Sequence, residues 1–137
     1  MPADDGTEPI ADEELLYRRI PVSKGWYDDR GMSPEAFDPR EDETTGISIY
    51  RDKYTSLQEA AKGKSKQGYY VAVFRAGDLR ENGIEVVPKP SDSDPGHAEL
   101  PDLTCENRLS PEAQERKSRL SQMWLSVEGP FVSANEA

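Results

Sequence analysis

The chain has 137 residues, 27 acidic and 17 basic, with a formal net charge of −10; such a field repels phosphate backbones and excludes nucleic acid as a partner for the surface as a whole. A hydrophobic share of 34% beside a charged share of 32% allows one domain with a modest core, since average globular chains are about 45–50% apolar. One cysteine, Cys105, and one histidine, His97, exclude an internal disulfide, a thiolate zinc site and a multi-histidine metal centre, so no metal and no cofactor is expected.

No apolar run reaches the ~18 residues that would cross a bilayer, and the acidic start of the chain has no signal-peptide character. The expectation is a soluble, cytoplasmic protein without a membrane partner. Residues 1–10 carry acids and no base and read as a disordered segment. The domain is expected over residues 11–128.

Residues 15–20, LLYRRI, form the first strand, ended by Pro21. Leu16, Arg18 and Ile20 point one way, and Leu15, Tyr17 and Arg19 the other. The two arginines read as solvent-reaching groups of an edge strand, or as planar forks held to grip a carboxylate or phosphate. Residues 22–45 are loop-rich. Trp26 and Tyr27 anchor this loop, Ser33-Pro34-Glu35 starts a short helix with Phe37 turned inward, and the acids Asp38, Glu41, Asp42 and Glu43 follow.

Residues 46–51, GISIYR, are the second strand, with Ile47 and Ile49 on one face and Ser48 and Tyr50 on the other. Thr55 and Gln58 match a capping box for a helix over 56–62. Lys62, Lys64 and Lys66 then read as a solvated basic loop. The triplet Gly63-Lys64-Ser65 lacks the earlier glycine of a phosphate loop.

Residues 68–88, GYYVAVFRAGDLRENGIEVVP, carry the strongest signal of buried structure. The run from Tyr69 to Phe74 suits a strand covered on both faces. A helical turn capped by Asp78 and stopped by Gly83 leads to a further strand over 84–87. His97 to Leu100 is a short final strand. Ser110-Pro111-Glu112 opens the longest helix, residues 111–125, whose apolar positions crowd its second half. Order ends at Gly129-Pro130, and residues 129–137 read as a loose tail. The fold class is therefore α+β: a small mixed or antiparallel sheet, short flanking helices and a longer C-terminal helix.

A Ser-His or Cys-His arrangement would have to use His97, and Ser48 between two isoleucines is not a nucleophile elbow. With so short a catalytic inventory, the reading is a non-catalytic binding or regulatory module. It recognises a protein partner or small ligand through Arg18, Arg19, Trp26, Tyr50, Arg51 and His97, residue types suited to contact surfaces. Docking through Met123, Trp124 and Leu125 as an accessory subunit is a further possibility.

The segments LYRRI, SPEAFDP, GISIYRD and PGHAEL, in that order, resemble a group of short bacterial proteins of unassigned activity; the resemblance implies a self-contained domain over about residues 15–100. Arg18 or Arg19, Ser48 and Glu99, in that order, resemble more distantly the pattern of ADP-ribosyltransferase folds. That resemblance implies nucleotide-using transfer with Arg19, Ser48 and Glu99 converging on a cleft of ~300 Å³ or more.

Overall fold

The computed structural model describes residues 6–41, 43–63 and 66–132. Its strands are β1 (Leu15–Pro21), β2 (Tyr27–Asp28), β3 (Gly31–Met32), β4 (Ile47–Arg51), β5 (Tyr69–Arg75), β6 (Val87–Pro88), β7 (His97–Leu100) and β8 (Ser126–Phe131). Its α-helices are α1 (Leu57–Ala60), α2 (Ala76–Glu81) and α3 (Pro111–Met123). Six strands form one antiparallel sheet in the order β6-β7-β4-β1-β5-β8, and β2 and β3 form a separate hairpin. Among the described residues no helix is long and apolar enough to cross a membrane.

The unbroken apolar run of β5 is explained by cover on both sides. Ala72 and Phe74 join Leu16, Ile20, Ile47, Ile49, Ala98 and Leu100 in the main core, with Leu79 of α2 and Ala113 and Leu120 of α3. Val71 and Val73 alternate onto the other face with Tyr17, Ala60 and Ala61. Each Val, Leu, Ile or Phe side chain buried in this way contributes roughly 1.5–3 kcal/mol. β1 pairs with β5 along its whole length, from Leu15↔Arg75 to Pro21↔Tyr69. Because β4 lies on its other side, β1 is an interior strand and not the edge strand that its arginines suggest.

Several boundaries differ from expectation, each for a physical reason. The last strand before the proline-rich link is only Val87–Pro88, because Pro88 and Pro90 cannot donate to a ladder; Ile84 and Val86 are instead buried in the core. Ser56, not Thr55, caps α1, accepting from the Glu59 N–H. Although the apolar positions of α3 crowd its second half, its first half docks as well, since Ala113 and Lys117 are buried and Lys117 pairs with Asp38 and donates to the Arg108 carbonyl. Residues 129–131 are not tail: they complete β8, which pairs with β5 through Tyr69↔Phe131. Gly68, at φ +87°, lets that pairing form, because a Cβ there would lie 2.2 Å from the Phe131 carbonyl oxygen.

The N-terminal segment also departs from the sequence reading. Residues 6–10 pack on the domain, and Ile10 is a core residue at 4% exposure. Arg51 holds them. It shares a face with Ile47 and Ile49, is fully buried, and donates to the carbonyls of Gly6 and Glu8 at 3.1 and 3.0 Å. It also donates to both carboxylate oxygens of Glu14, at 2.6 and 3.0 Å. The Lys53 ammonium and then the Tyr54 hydroxyl hold the Glu8 carboxyl down to about 2. The expectations that rest on residues 1–5, Asp42, Lys64, Ser65 and 133–137 lie outside the described residues.

One pH dependence follows from the second face of the sheet. The Tyr17 ring is 6% exposed and its hydroxyl donates to Asp52. Burial, and then the Asp52 carboxylate, push the phenol from 10.0 up to about 12. The folded state holds this proton where the unfolded state releases it, so stability is unaffected below pH ~10 and falls as pH rises from ~10 to ~12. Urea midpoints at about pH 9 and about pH 11 check this. The alkaline loss is expected to be smaller in Tyr17→Phe, and an equal loss in both proteins would refute it.

Candidate functional site

The ladder between β1 and β4 contains only Leu16↔Arg51 and Tyr17↔Tyr50. Both strands run on beyond these pairs, so the backbone groups that β4 turns toward β1 need other partners. Side chains supply them at Ser48. The Ser48 N–H donates to Glu43 Oε2 at 2.9 Å, and the Ser48 carbonyl accepts from Arg18 Nη1 at 2.9 Å. Arg18 and Glu43 approach to 3.7 Å, with side chains 14% and 5% exposed. An ion pair thus stands where a strand would be.

Arg18 is further fixed by the turn at residues 34–37. Ser33 caps this turn, accepting from the Glu35 N–H, and Phe37 secures it by an edge-to-face contact with Phe74 at 5.9 Å between centroids. The Ala36 carbonyl then accepts from Arg18 Nη2 at 3.2 Å. Burial pulls the Arg18 guanidinium below its ordinary pKa, and Glu43 opposes that shift.

A cleft of about 160 Å³ opens at this parting of the strands. Arg18, Arg19, Trp26 and Tyr50 line it, as do Lys24, Asp38, Arg40, Ser48 and Tyr69. Arg19 lies over the Tyr69 ring, 5.1 Å from its centroid, and donates to the Lys62 carbonyl. Among the described residues Asp38 is the only acid of the lining, and its charge is met by the buried Lys117. Lys24 is exposed and has no ion pair among the described residues. The result is a concentration of positive charge, with aromatic walls, on an acidic protein.

Four of the six residues proposed from sequence therefore meet in one place. Arg51 does not join them: it lies on the opposite face of β4, occupied by the N-terminal segment. His97 does not line the cleft but stands behind it, its Nε2 2.9 Å from Ser48 Oγ and its Nδ1 2.9 Å from the Lys89 carbonyl oxygen. Of the transferase set, Arg19 and Ser48 line the cleft and Glu99 does not; Glu99 lies opposite Ser48 in the β4–β7 ladder and accepts from the Thr45 hydroxyl at 2.7 Å. Met123 and Trp124 pack against the core, and Leu125 alone of that trio is largely exposed, at 53%.

Sequence reasoning did not single out Lys24, Arg40 or Glu43 for this site. Lys24 follows β1 in a short turn closed by Gly25, and Glu43 lies in a run of acids that carries no sign of which one turns inward. No family model, no curated protein and no solved structure matches the chain.

Proposed function

We propose that the protein is a binding module whose cleft between β1 and β4 takes a small anionic ligand bearing a carboxylate or phosphate group. The observation that carries this reading is the lining itself: Arg18, Arg19, Lys24 and Arg40 share one cleft in which the single acid among the described residues, Asp38, is already paired, on a chain of net charge −10. Glu43 meets Arg18 and Arg40 at 3.7 and 3.8 Å, so the positive charge left for an incoming anion is that of Arg19 and Lys24, neither of which has an ion pair among the described residues. Arg18 is held by Ala36, Ser48 and Glu43, which leaves Arg19 and Lys24 as the principal contacts to the ligand. Trp26, Tyr50 and Tyr69 supply apolar walls for a small carbon skeleton.

A volume of about 160 Å³ falls below the ~300 Å³ at the lower end of drug-sized ligand sites. It favours a ligand of a few heavy atoms over a dinucleotide, and so favours anion binding over ADP-ribosyl transfer. Titration with inorganic phosphate, followed by amide chemical shifts, is expected to move the signals of Arg19, Lys24 and Ser48. Arg19→Ala is expected to weaken binding by about tenfold, the scale of one charge-assisted hydrogen bond, and raised sodium chloride is expected to weaken it further. Shifts spread evenly over the basic surface, unchanged in Arg19→Ala, would rule this reading out.

A further inference from the structure

Ser48 and His97 come from different strands, β4 and β7, and point to the same side of the sheet, since the register pairs Ser48 with Glu99 and Tyr50 with His97. His97 Nδ1 faces the Lys89 carbonyl oxygen at 2.9 Å. A carbonyl can only accept, so Nδ1 carries the proton of the neutral imidazole. Nε2 is then the unprotonated nitrogen, and the Ser48 hydroxyl 2.9 Å away donates to it. The Tyr50 ring, 5.8 Å from the imidazole centroid, packs beside it.

These are the relations an activated nucleophile requires: a hydroxyl on its base, and a base oriented by a third group. The backbone of Ser48 is held independently by Glu43 and Arg18. The same residue lines the positively charged cleft. A hydroxyl serving only to satisfy a half-buried histidine would need neither the cleft nor the ion pair that replaces a strand beside it.

We infer that Ser48 is a nucleophile and His97 its general base, acting on small carboxylic esters that carry an anionic group. The substrate class rests on the reading of the cleft as an anion site; the nucleophile does not. Ser48 Oγ bonds to the acyl carbon and the ester C–O bond breaks. The hydroxyl proton passes to His97 Nε2 and from there to the departing alkoxide. Water, deprotonated by the same nitrogen, then attacks the acyl-serine, releasing the carboxylic acid and returning a proton to Ser48 Oγ. The balance is ester plus water to acid plus alcohol.

The test uses the full chain and an uncharged fluorophosphonate, so that it reads the serine without the cleft's cations. One adduct per chain is expected, located on Ser48 by fragmentation mass spectrometry and lost in Ser48→Ala. His97→Gln is expected to slow labelling by at least about 100-fold, the lower end of general-base contributions. Absence of an adduct at concentrations that label a serine esterase control, or labelling equally fast in His97→Gln, would overturn the nucleophile. A second measurement needs no variant: with one histidine in the chain, its ¹⁵N shifts report the tautomer directly, and a proton resting on Nε2 would also overturn it. The substrate class is read separately, as at least a tenfold higher kcat/KM for a 4-nitrophenyl hemisuccinate than for 4-nitrophenyl acetate. Labelling without that preference would overturn the anionic ester as substrate and leave the anion site to the phosphate titration, while phosphate binding without labelling would overturn the nucleophile alone.

Discussion

Replacing Arg51 with methionine is expected to lower the melting temperature by roughly 10–20 °C, because breaking a buried ion pair costs about 3–5 kcal/mol and each kcal/mol moves a domain of this size by several degrees. The guanidinium is fully buried and is the donor to Glu14 and to the Gly6 and Glu8 carbonyls. Methionine fills similar space but donates nothing, so a carboxylate and two carbonyls lose their partner together. The segment 6–14 should then come away from the sheet and become the first site of cleavage in limited proteolysis. Adding Glu14→Gln to Arg51→Met should recover part of the loss, because the stranded charge is gone. A melting temperature within about 3 °C of the parent would show that the segment is held by Ile10 and its neighbours and not by Arg51.

Phe37→Ala should be comparably damaging, at about 3–5 kcal/mol for emptying a buried aromatic site. Phe37 is 1% exposed and meets Phe74 edge to face. Its effect should also reach the cleft, which a purely hydrophobic deletion elsewhere would not. The turn that Phe37 anchors presents the Ala36 carbonyl to Arg18, so loosening it releases Arg18 and, through Arg18, the Ser48 backbone. Phosphate affinity is therefore expected to fall at least fivefold in Phe37→Ala, measured at a temperature where the variant remains folded. In Ile84→Ala, which removes a fully buried side chain that does not line the cleft and should destabilise by about 2–5 kcal/mol, affinity should stay within twofold. Equal losses of affinity in the two variants would mean that the cleft responds to stability in general.

The contrast between Arg18 and Arg51 shows what was legible in the sequence and what was not. In GISIYR, residues 47, 49 and 51 have the same parity, so the strand that buries both isoleucines must bury the arginine as well. The interior position of Arg51 was thus written in the local pattern, although its identity as a contact residue suggested a surface. Arg18 shares parity with Leu16 and Ile20 in the same way, yet it emerges at the cleft, because β1 and β4 stop pairing beside it. Nothing local encodes where a ladder stops. Strands β1, β4, β5 and β7 were readable because each places apolar side chains in a run or an alternation that a sheet can bury. β8, SVEGPF, was not, since its order comes from lying against β5. Residues 6–10 were unreadable for the same reason: they contain little that buries itself, and Arg51, more than forty positions away, collects their carbonyls.

The meeting of Ser48 with His97 required a register. Each residue was visible as a single serine or a single histidine, but their proximity depends on Tyr50 pairing with His97 and Ser48 with Glu99. Gly46 helps to seat that alignment: at φ +144° it allows the Leu100 carbonyl to lie 2.6 Å from where a Cβ would stand.

The outermost strands of the main sheet, β6 and β8, each carry a proline, Pro88 and Pro130. A proline ring has no N–H to offer an incoming chain. An extended peptide laid along either rim would therefore meet a missing rung, and the sheet is poorly suited to grow by recruiting strands from other copies. Whenever the sheet opens in part, this blunting of both rims disfavours fibrillar growth.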